Sequence, residues 1–353
     1  MATMRAALKS SDGRFEVTDT DRPEIPAADW VLARIRVAGI CGTDLRHWKK
    51  AEPELEHHIV GHELAGEVVE VGPAVTNVAV GDRVVIESVM GDGDCEWCRV
   101  QQYNLCPNLY PTRTACVSRA YGEFVVGPAR KFYKLPDHIS FEQAALIDTL
   151  SVCLHAQHLS GIGINSKIAI IGAGPIGLGQ LMLAKASGAD VLIADTVDSS
   201  LQLAKELGAD VIVNPDRDDP AAAAKAFTGG RGVDVAFECA GGTSMPTTLP
   251  QATAMARRGG KVVIVGGFDA GVTEIGLEWQ RIQMSEIQLV PSASFAFWGL
   301  DSEQGTVLEL LSKGLVSVDK LITHRFPLER INEAFEVADA KERTGAVFVA
   351  LEM

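Results

Sequence analysis

The chain has 353 residues, enough for two domains, and at 47% hydrophobic content it can bury a core in each. Its net charge of -14 is spread along the chain, with neither an acidic tail nor a basic arm. That argues against a nucleic-acid partner, whose phosphates such a surface repels. No apolar run approaches the roughly 20 residues needed to cross a bilayer, and Met1 to Arg14 carry no secretory pattern, so a cytoplasmic location without a membrane partner is expected.

In chain order, residues 4 to about 135 read as short strands between irregular loops. Val31–Val37 alternates around Leu32, Ile35 and Val37, while Gly66–Val71 and Arg83–Glu87 are valine-rich and bounded by glycine, proline and aspartate. This fits a small, partly closed β-barrel better than βαβ units. The style changes after Pro136. Ser140–His158 predicts a helix closed by Gly161 and Gly163, and Lys167–Ile171 is a short apolar run typical of a strand buried on both faces. Helix (Pro175–Ser187), strand (Val191–Ala194), helix (Ser199–Leu207) and strand (Val211–Val213) follow, then strands at Val233–Phe237 and Lys261–Val265. That alternation predicts a doubly wound parallel sheet. From about Trp298 two helix patterns and the strand Ala346–Leu351 close the chain. The expected class is α/β, with a catalytic domain at 1–155 and 296–353 and a nucleotide domain at 156–295.

Gly172-Ala173-Gly174-Pro175-Ile176-Gly177 is a G-x-G-x-x-G that follows a predicted strand and opens a predicted helix, the context that gives the motif meaning. Gly172 permits the tight turn, Gly174 lets the backbone approach a pyrophosphate, and Gly177 lets the helix pack on the sheet. Pro175 costs little at the first helical position. Asp195 ends the next strand, where a carboxylate accepts from ribose hydroxyls and repels a 2′-phosphate. No arginine follows it closely, so NAD is expected over NADP. Gly172, Gly174, Pro175, Ile176, Gly177, Asp195 and Gly266 form the candidate cofactor set.

Seven cysteines, an odd number with three clustered, point to metal binding more than to a disulfide framework in a reducing compartment. Cys41 begins Cys41-Gly42-Thr43-Asp44 in a loop after a strand, and Gly61-His62-Glu63 lies some twenty residues on. Alone, a cysteine or a histidine is usually structural. Together on loops of one small barrel they read as a thiolate and imidazole pair for zinc, with Glu63 as a tuning carboxylate or occasional ligand.

Gly61-His62-Glu63-Leu64-Ala65-Gly66, continuing to Gly72 and Val75, resembles the zinc signature of medium-chain dehydrogenases. The resemblance runs from about Met4 to the C-terminus and is strongest to the sorbitol/polyol and threonine branch. It implies a GroES-like barrel beside a Rossmann sheet. It also implies a third ligand to the catalytic zinc just before the long interdomain helix. In Ala144-Ala145-Leu146-Ile147-Asp148 that residue is Asp148, which by local sequence alone also reads as a helix-face carboxylate. A second, structural zinc is implied by Cys95-Glu96-Trp97-Cys98 and Cys106. The family's first cysteine position is taken by Asp92, so the set is Asp92, Cys95, Cys98 and Cys106, with a three-cysteine loop lacking metal as the alternative.

The resemblance further implies that Thr43, two residues after Cys41, receives the substrate proton. The relay histidine's position holds Arg46, which cannot act as a base, leaving His47 or solvent. Polyol enzymes tend to carry an arginine after the last Rossmann strand. Here the segment is Ser294-Phe295-Ala296-Phe297-Trp298, so Trp48, Phe295 and Trp298 are the candidate substrate contacts. A secondary hydroxyl of a polyol, sugar or cyclitol is expected, with a hydrophobic secondary alcohol or threonine as the alternative. A catalytically silent nucleotide binder fits poorly with intact Cys41, Thr43, His62 and Asp148. The family is usually dimeric or tetrameric, implying a homo-oligomer.

Overall fold

The structure, a computed structural model, describes residues 2–353 apart from 49, 51–54, 110–111, 113–114, 270 and 273. The chain falls into two compact units: Met1–Asp148 with Phe295–Gly314 and Val318–Met353, and Thr149–Ser294 with Leu315–Ser317. Strands β1 (Thr3–Lys9), β2 (Phe15–Asp21), β3 (Trp30–Gly39), β4 (Glu63–Val71), β5 (Arg83–Ile86), β6 (Phe124–Pro128) and β7 (Phe132–Lys134) open the chain. The second unit adds β8 (Lys167–Ile171), β9 (Asp190–Ala194), β10 (Val211–Val213), β11 (Val233–Glu238), β12 (Ala256–Ile264) and β13 (Gln288–Pro291). Back in the first unit come β14 (Phe297–Trp298), β15 (Asp301–Ser302), β16 (Ile322–Pro327) and β17 (Phe348–Glu352).

The first unit is built on a sheet of order β16-β17-β3-β4-β5-β7, with β6 also pairing with β3. β3 serves several partners because it bends. Its register with β4 shifts between Leu32 and Ala33 and again between Ile35 and Val37, and such bulges curl a sheet. Gly66 allows the two strands to close up, since a Cβ there would fall 2.1 Å from the Arg34 carbonyl. The inward residues Leu32, Ile35, Leu64, Ile86, Tyr121 and Phe335 are fully buried and form one core. β3 and β4 are antiparallel, with Gly39 opposite Glu63. The loop leaving β3, which holds Cys41, therefore meets the loop entering β4, which holds His62.

In the second unit the order is β10-β9-β8-β11-β12-β13, every pair parallel. The direction of winding reverses between β8 and β11, so the loop after β8 opens at the point where such sheets bind ligands. The predicted doubly wound sheet and partly closed barrel are both present.

Among the elements that differ from their predicted form, the helix before β8 bears on the site. Ser140–His158 is not one helix but two, Phe141–Ala145 and Ile147–Ser160, interrupted at Leu146. The first is fixed by a reciprocal cap in which the Gln143 amide N–H donates to Ser140 Oγ and the Ser140 N–H donates to the Gln143 side chain. Leu146 and Ile147 are both fully buried, so apolar periodicity runs through the break and does not reveal it. The break places Asp148 in the first turn of the second helix.

Candidate metal centre and dinucleotide site

Donor atoms of Cys41, His62 and Glu63 lie within 4.8 Å of one another. Cys41 precedes the short helix Gly42–His47, and its N–H donates to Asp44 Oδ2 at 3.2 Å. Glu63 begins β4 and lies across Gly39. A Cβ on Gly39 would fall 2.3 Å from the Glu63 carboxylate, so only glycine leaves room for it. His62 has Thr43 Oγ1 3.5 Å from Nε2 and Asp44 Oδ1 3.7 Å from Nδ1. Burial, aided by the charge of Asp44, pushes the Cys41 thiol up to about 11. A neutral, half-buried thiol beside an imidazole and a carboxylate is the donor set zinc takes, and a bound cation would hold the thiolate.

Asp148 stands outside this trio. Its Oδ2 accepts from Ser88 Oγ at 2.6 Å in a buried pair, while its charge still acts on Cys41. Glu63 is thus the carboxylate gathered with Cys41 and His62 here. His47 is exposed in the last turn of its helix, and its carbonyl accepts from Lys9 Nζ. Of the three aromatic residues expected to face substrate, Trp48 packs against Phe335 in the core and Phe295 is fully buried. Trp298 is exposed. Spacing cannot tell an aromatic residue in a core from one in a pocket, because both are read as apolar.

The second cluster brings Asp92, Cys95, Cys98 and Cys106 within the same 4.8 Å limit. Backbone amides surround the sulfurs: Cys98 N–H donates to Cys95 Sγ, and Asp92 and Asn108 N–H both donate to Cys106 Sγ, each at 3.4 Å. Gly91 leaves space for Cys98 Sγ, which would lie 2.5 Å from a Cβ. The Asn108 side chain and the amides of Asp94 and Cys95 donate to Asp92 and hold its carboxyl far below the usual range. Burial, with the neighbouring Cys95 and Cys106 sulfurs and the Asp92 carboxylate, raises Cys98 to about 12. Three thiols and an ionised carboxylate make a set that fits zinc.

In the second unit the Gly-rich loop follows β8. Gly172 has φ +98, and a Cβ there would meet the Ala240 amide at 2.8 Å. A Cβ on Gly177 would lie 1.7 Å from the Gly172 carbonyl, so helix Pro175–Ala186 can pack only with glycine there. Gly174 faces open space, as a loop that receives a pyrophosphate must. Asp195 is clamped by the amides of Ala173 at 2.6 Å and Val197 at 2.8 Å. At the carboxyl ends of β11 and β13, Glu238 Oε2 and Ser292 Oγ are buried with no hydrogen-bond partner among the described residues. Glu238 Oε1 accepts from Ala240, Gly241 and Thr248, and a Cβ on Gly266 would lie 2.5 Å from Glu238 Oε2. An open glycine cradle with polar atoms waiting at the strand ends fits a nicotinamide dinucleotide.

Several residues escaped the sequence reading. Asp44 carried a local signal, standing three residues after the helix cap. Tyr121, Ser88, Glu238 and Arg217 carried none, because their partners are distant in sequence. Arg217 is brought near the end of β9 and grips Asp198 through both terminal nitrogens, at 2.9 and 2.5 Å.

A thiol–imidazole–carboxylate cluster in one unit and a dinucleotide cradle in the other define a metal- and nucleotide-dependent oxidoreductase. Residues 27–137 match the alcohol dehydrogenase GroES-like domain, and residues 175–313 match the zinc-binding dehydrogenase pattern. Sorbitol dehydrogenase of Bacillus subtilis is 35% identical over 95% of this chain and 93% of its own. An alcohol dehydrogenase of Escherichia coli solved with NADH is 25% identical, with a TM-score of 0.87 over 100% of both chains. A zinc-binding dehydrogenase of Sinorhizobium meliloti bound to NADP is 28% identical, with a TM-score of 0.85 over 100% of both. The chain belongs to the zinc-dependent medium-chain alcohol dehydrogenase family, whose members use zinc and a nicotinamide cofactor.

Proposed function

We propose that this chain moves a hydride reversibly between a secondary hydroxyl of a polyol, sugar or cyclitol and NAD. The gathering of Cys41, His62 and Glu63 at the β3–β4 end carries this reading. The similarity to sorbitol dehydrogenase supports the substrate class. Cys41, His62 and Glu63 or Asp148 would hold the zinc, which when bound would supply Lewis acidity to a substrate hydroxyl, and the glycine cradle would hold the nicotinamide dinucleotide that would serve as hydride acceptor.

The chain's own groups do the rest. Thr43 Oγ1, beside His62, is placed to accept the alcohol proton by hydrogen bond. His47 or solvent takes it onward, since Arg46 stays charged. Asp195, fixed by two amides, is aimed to accept from the adenosine ribose. The preference for NAD rests on that carboxylate, and Arg217 is paired with Asp198 in an exposed ion pair. Trp48 and Phe295 are buried, which removes two of the three aromatic residues that would favour a hydrophobic alcohol. Asp92, Cys95, Cys98 and Cys106 hold a second, structural zinc, and the protein works as a homo-oligomer.

The test is reduction of NAD and of NADP across polyols, sugars and secondary alcohols, with and without a chelator. NAD-linked, chelator-sensitive oxidation of a polyol or sugar is expected. Turnover that survives complete zinc removal would sink the zinc mechanism.

A further inference from the structure

Tyr121 is fully buried in the core of the first unit, with its ring edge-on to Phe15 and Phe335. Its backbone and side chain reach different loops. The Tyr121 N–H donates to the Val60 carbonyl at 3.0 Å, and the Ala120 N–H donates to Gly61 at 3.2 Å. The ring lies against Gly61, where a Cβ would fall 2.7 Å away and where φ is +91. Residues 120–121 therefore clasp the segment that delivers His62. The hydroxyl reaches the other loop, 2.7 Å from Asp44 Oδ2 and 3.3 Å from the Gly39 carbonyl. A phenol has one proton, and the shorter contact, to a carboxylate, takes it. Asp44 Oδ2 also receives the Cys41 N–H, while Oδ1 faces His62 Nδ1. Burial and the charges of Asp44 and Glu63 raise the Tyr121 ionisation well above the ordinary tyrosine range, so the hydroxyl remains a donor.

We propose that Tyr121 is a positioning residue for the metal centre: its hydroxyl orients Asp44, and through Asp44 it sets the His62 ring relative to Cys41. The two ligand-bearing loops are thus cross-tied by one side chain distant from both in sequence. A carboxylate facing the non-ligating nitrogen of a metal-binding histidine orients the ring and raises its basicity. Tyr121 fixes which way that carboxylate points. The inference rests on zinc binding at Cys41 and His62, as proposed above.

The experiment is zinc binding to the full-length chain in competition with a chromophoric chelator. The portion of zinc lost in Cys41→Ser identifies the site. Tyr121→Phe keeps the ring and its packing and removes only the hydroxyl. It should weaken zinc binding at this site about ten-fold, by more than any fall in the melting temperature of the metal-free chain accounts for. Asp44→Asn should weaken it at least as much, and Tyr121→Phe added to Asp44→Asn should cost nothing more. Tyr121→Phe binding zinc as tightly as the wild type overturns the proposal. So does an equal loss in the Asp44→Asn background, or a fall in metal-free melting temperature that accounts for the weaker binding. If the wild type binds no more zinc than Cys41→Ser, the metal reading itself is wrong.

Discussion

Ser88 Oγ donates a 2.6 Å hydrogen bond to Asp148 Oδ2 between two buried side chains, and this carboxylate lies outside the Cys41, His62 and Glu63 trio. Removing that donor leaves a buried carboxylate oxygen without it, at a cost of about 1–3 kcal/mol. Ser88→Ala should therefore lower the melting temperature of the metal-free chain. If Asp148 is the third zinc ligand during turnover, zinc should narrow the gap to the wild type, because Asp148 then finds a partner in the metal. Calorimetry with and without zinc reads both numbers. A gap that zinc leaves unchanged assigns Asp148 a structural role.

Zinc retention should depend on pH with a definite sign. The Cys41 thiol lies at about 11 in the metal-free chain, so at neutral pH zinc must displace a proton to bind the thiolate. Each unit of falling pH should weaken binding about ten-fold from this thiol alone, and each rising unit should strengthen it until pH nears 11. Proton release measured in weakly buffered solution during zinc addition checks the claim. Binding without release would show that the thiolate forms before metal arrives.

In the Asp92 lobe, a carboxylate stands beside the thiols of Cys95, Cys98 and Cys106. Asp92→Cys should bind zinc more tightly, since zinc favours thiolate over a single carboxylate oxygen at such sites. Asp92→Ala should lose it. Zinc stoichiometry after dialysis against a graded chelator series separates the three proteins. Equal stoichiometry in Asp92→Ala and the wild type would remove Asp92 from the set.

Glu87 is fully buried and accepts from Tyr103 at 2.5 Å, Lys131 at 2.6 Å and Tyr133 at 2.7 Å. Glu87→Ala strands the Lys131 ammonium in the interior, at a cost of about 3–5 kcal/mol. Glu87→Ala with Lys131→Met should recover much of that loss. Denaturant midpoints decide: no recovery in the double variant would mean that the tyrosine hydroxyls, rather than the charge pair, dominate.

Cofactor choice should shift by releasing Arg217. Asp195→Ser removes the carboxylate that repels a 2′-phosphate, and Asp198→Ala frees the arginine that Asp198 holds. The double variant should raise the NADP to NAD ratio of kcat/KM more than Asp195→Ser alone. A wild type that already uses both cofactors equally would count against the assignment of NAD.

Short-range patterns in the sequence were enough for the architecture. Alternating helix and strand signals predicted the doubly wound sheet, because a strand buried on both faces must be a continuous apolar run wherever it lies. The glycine loop was legible for a similar reason: a Gly177 Cβ would strike the Gly172 carbonyl only five residues away, so the constraint is written locally. Cys41 and His62 could be paired because each sits at a loop beside a readable strand end. Tertiary structure alone decided the choice of partner. Tyr121 is 77 positions from Asp44, and Ser88 is 60 from Asp148. It decided that Glu63, through its register opposite Gly39, lies with Cys41 and His62 while Asp148 is held aside. It also sent Trp48 and Phe295 into the core and tied Arg217 to Asp198. A hydrogen bond or an aromatic contact depends on where two chain segments meet in space, and local spacing carries no information about a segment that arrives from elsewhere in the fold.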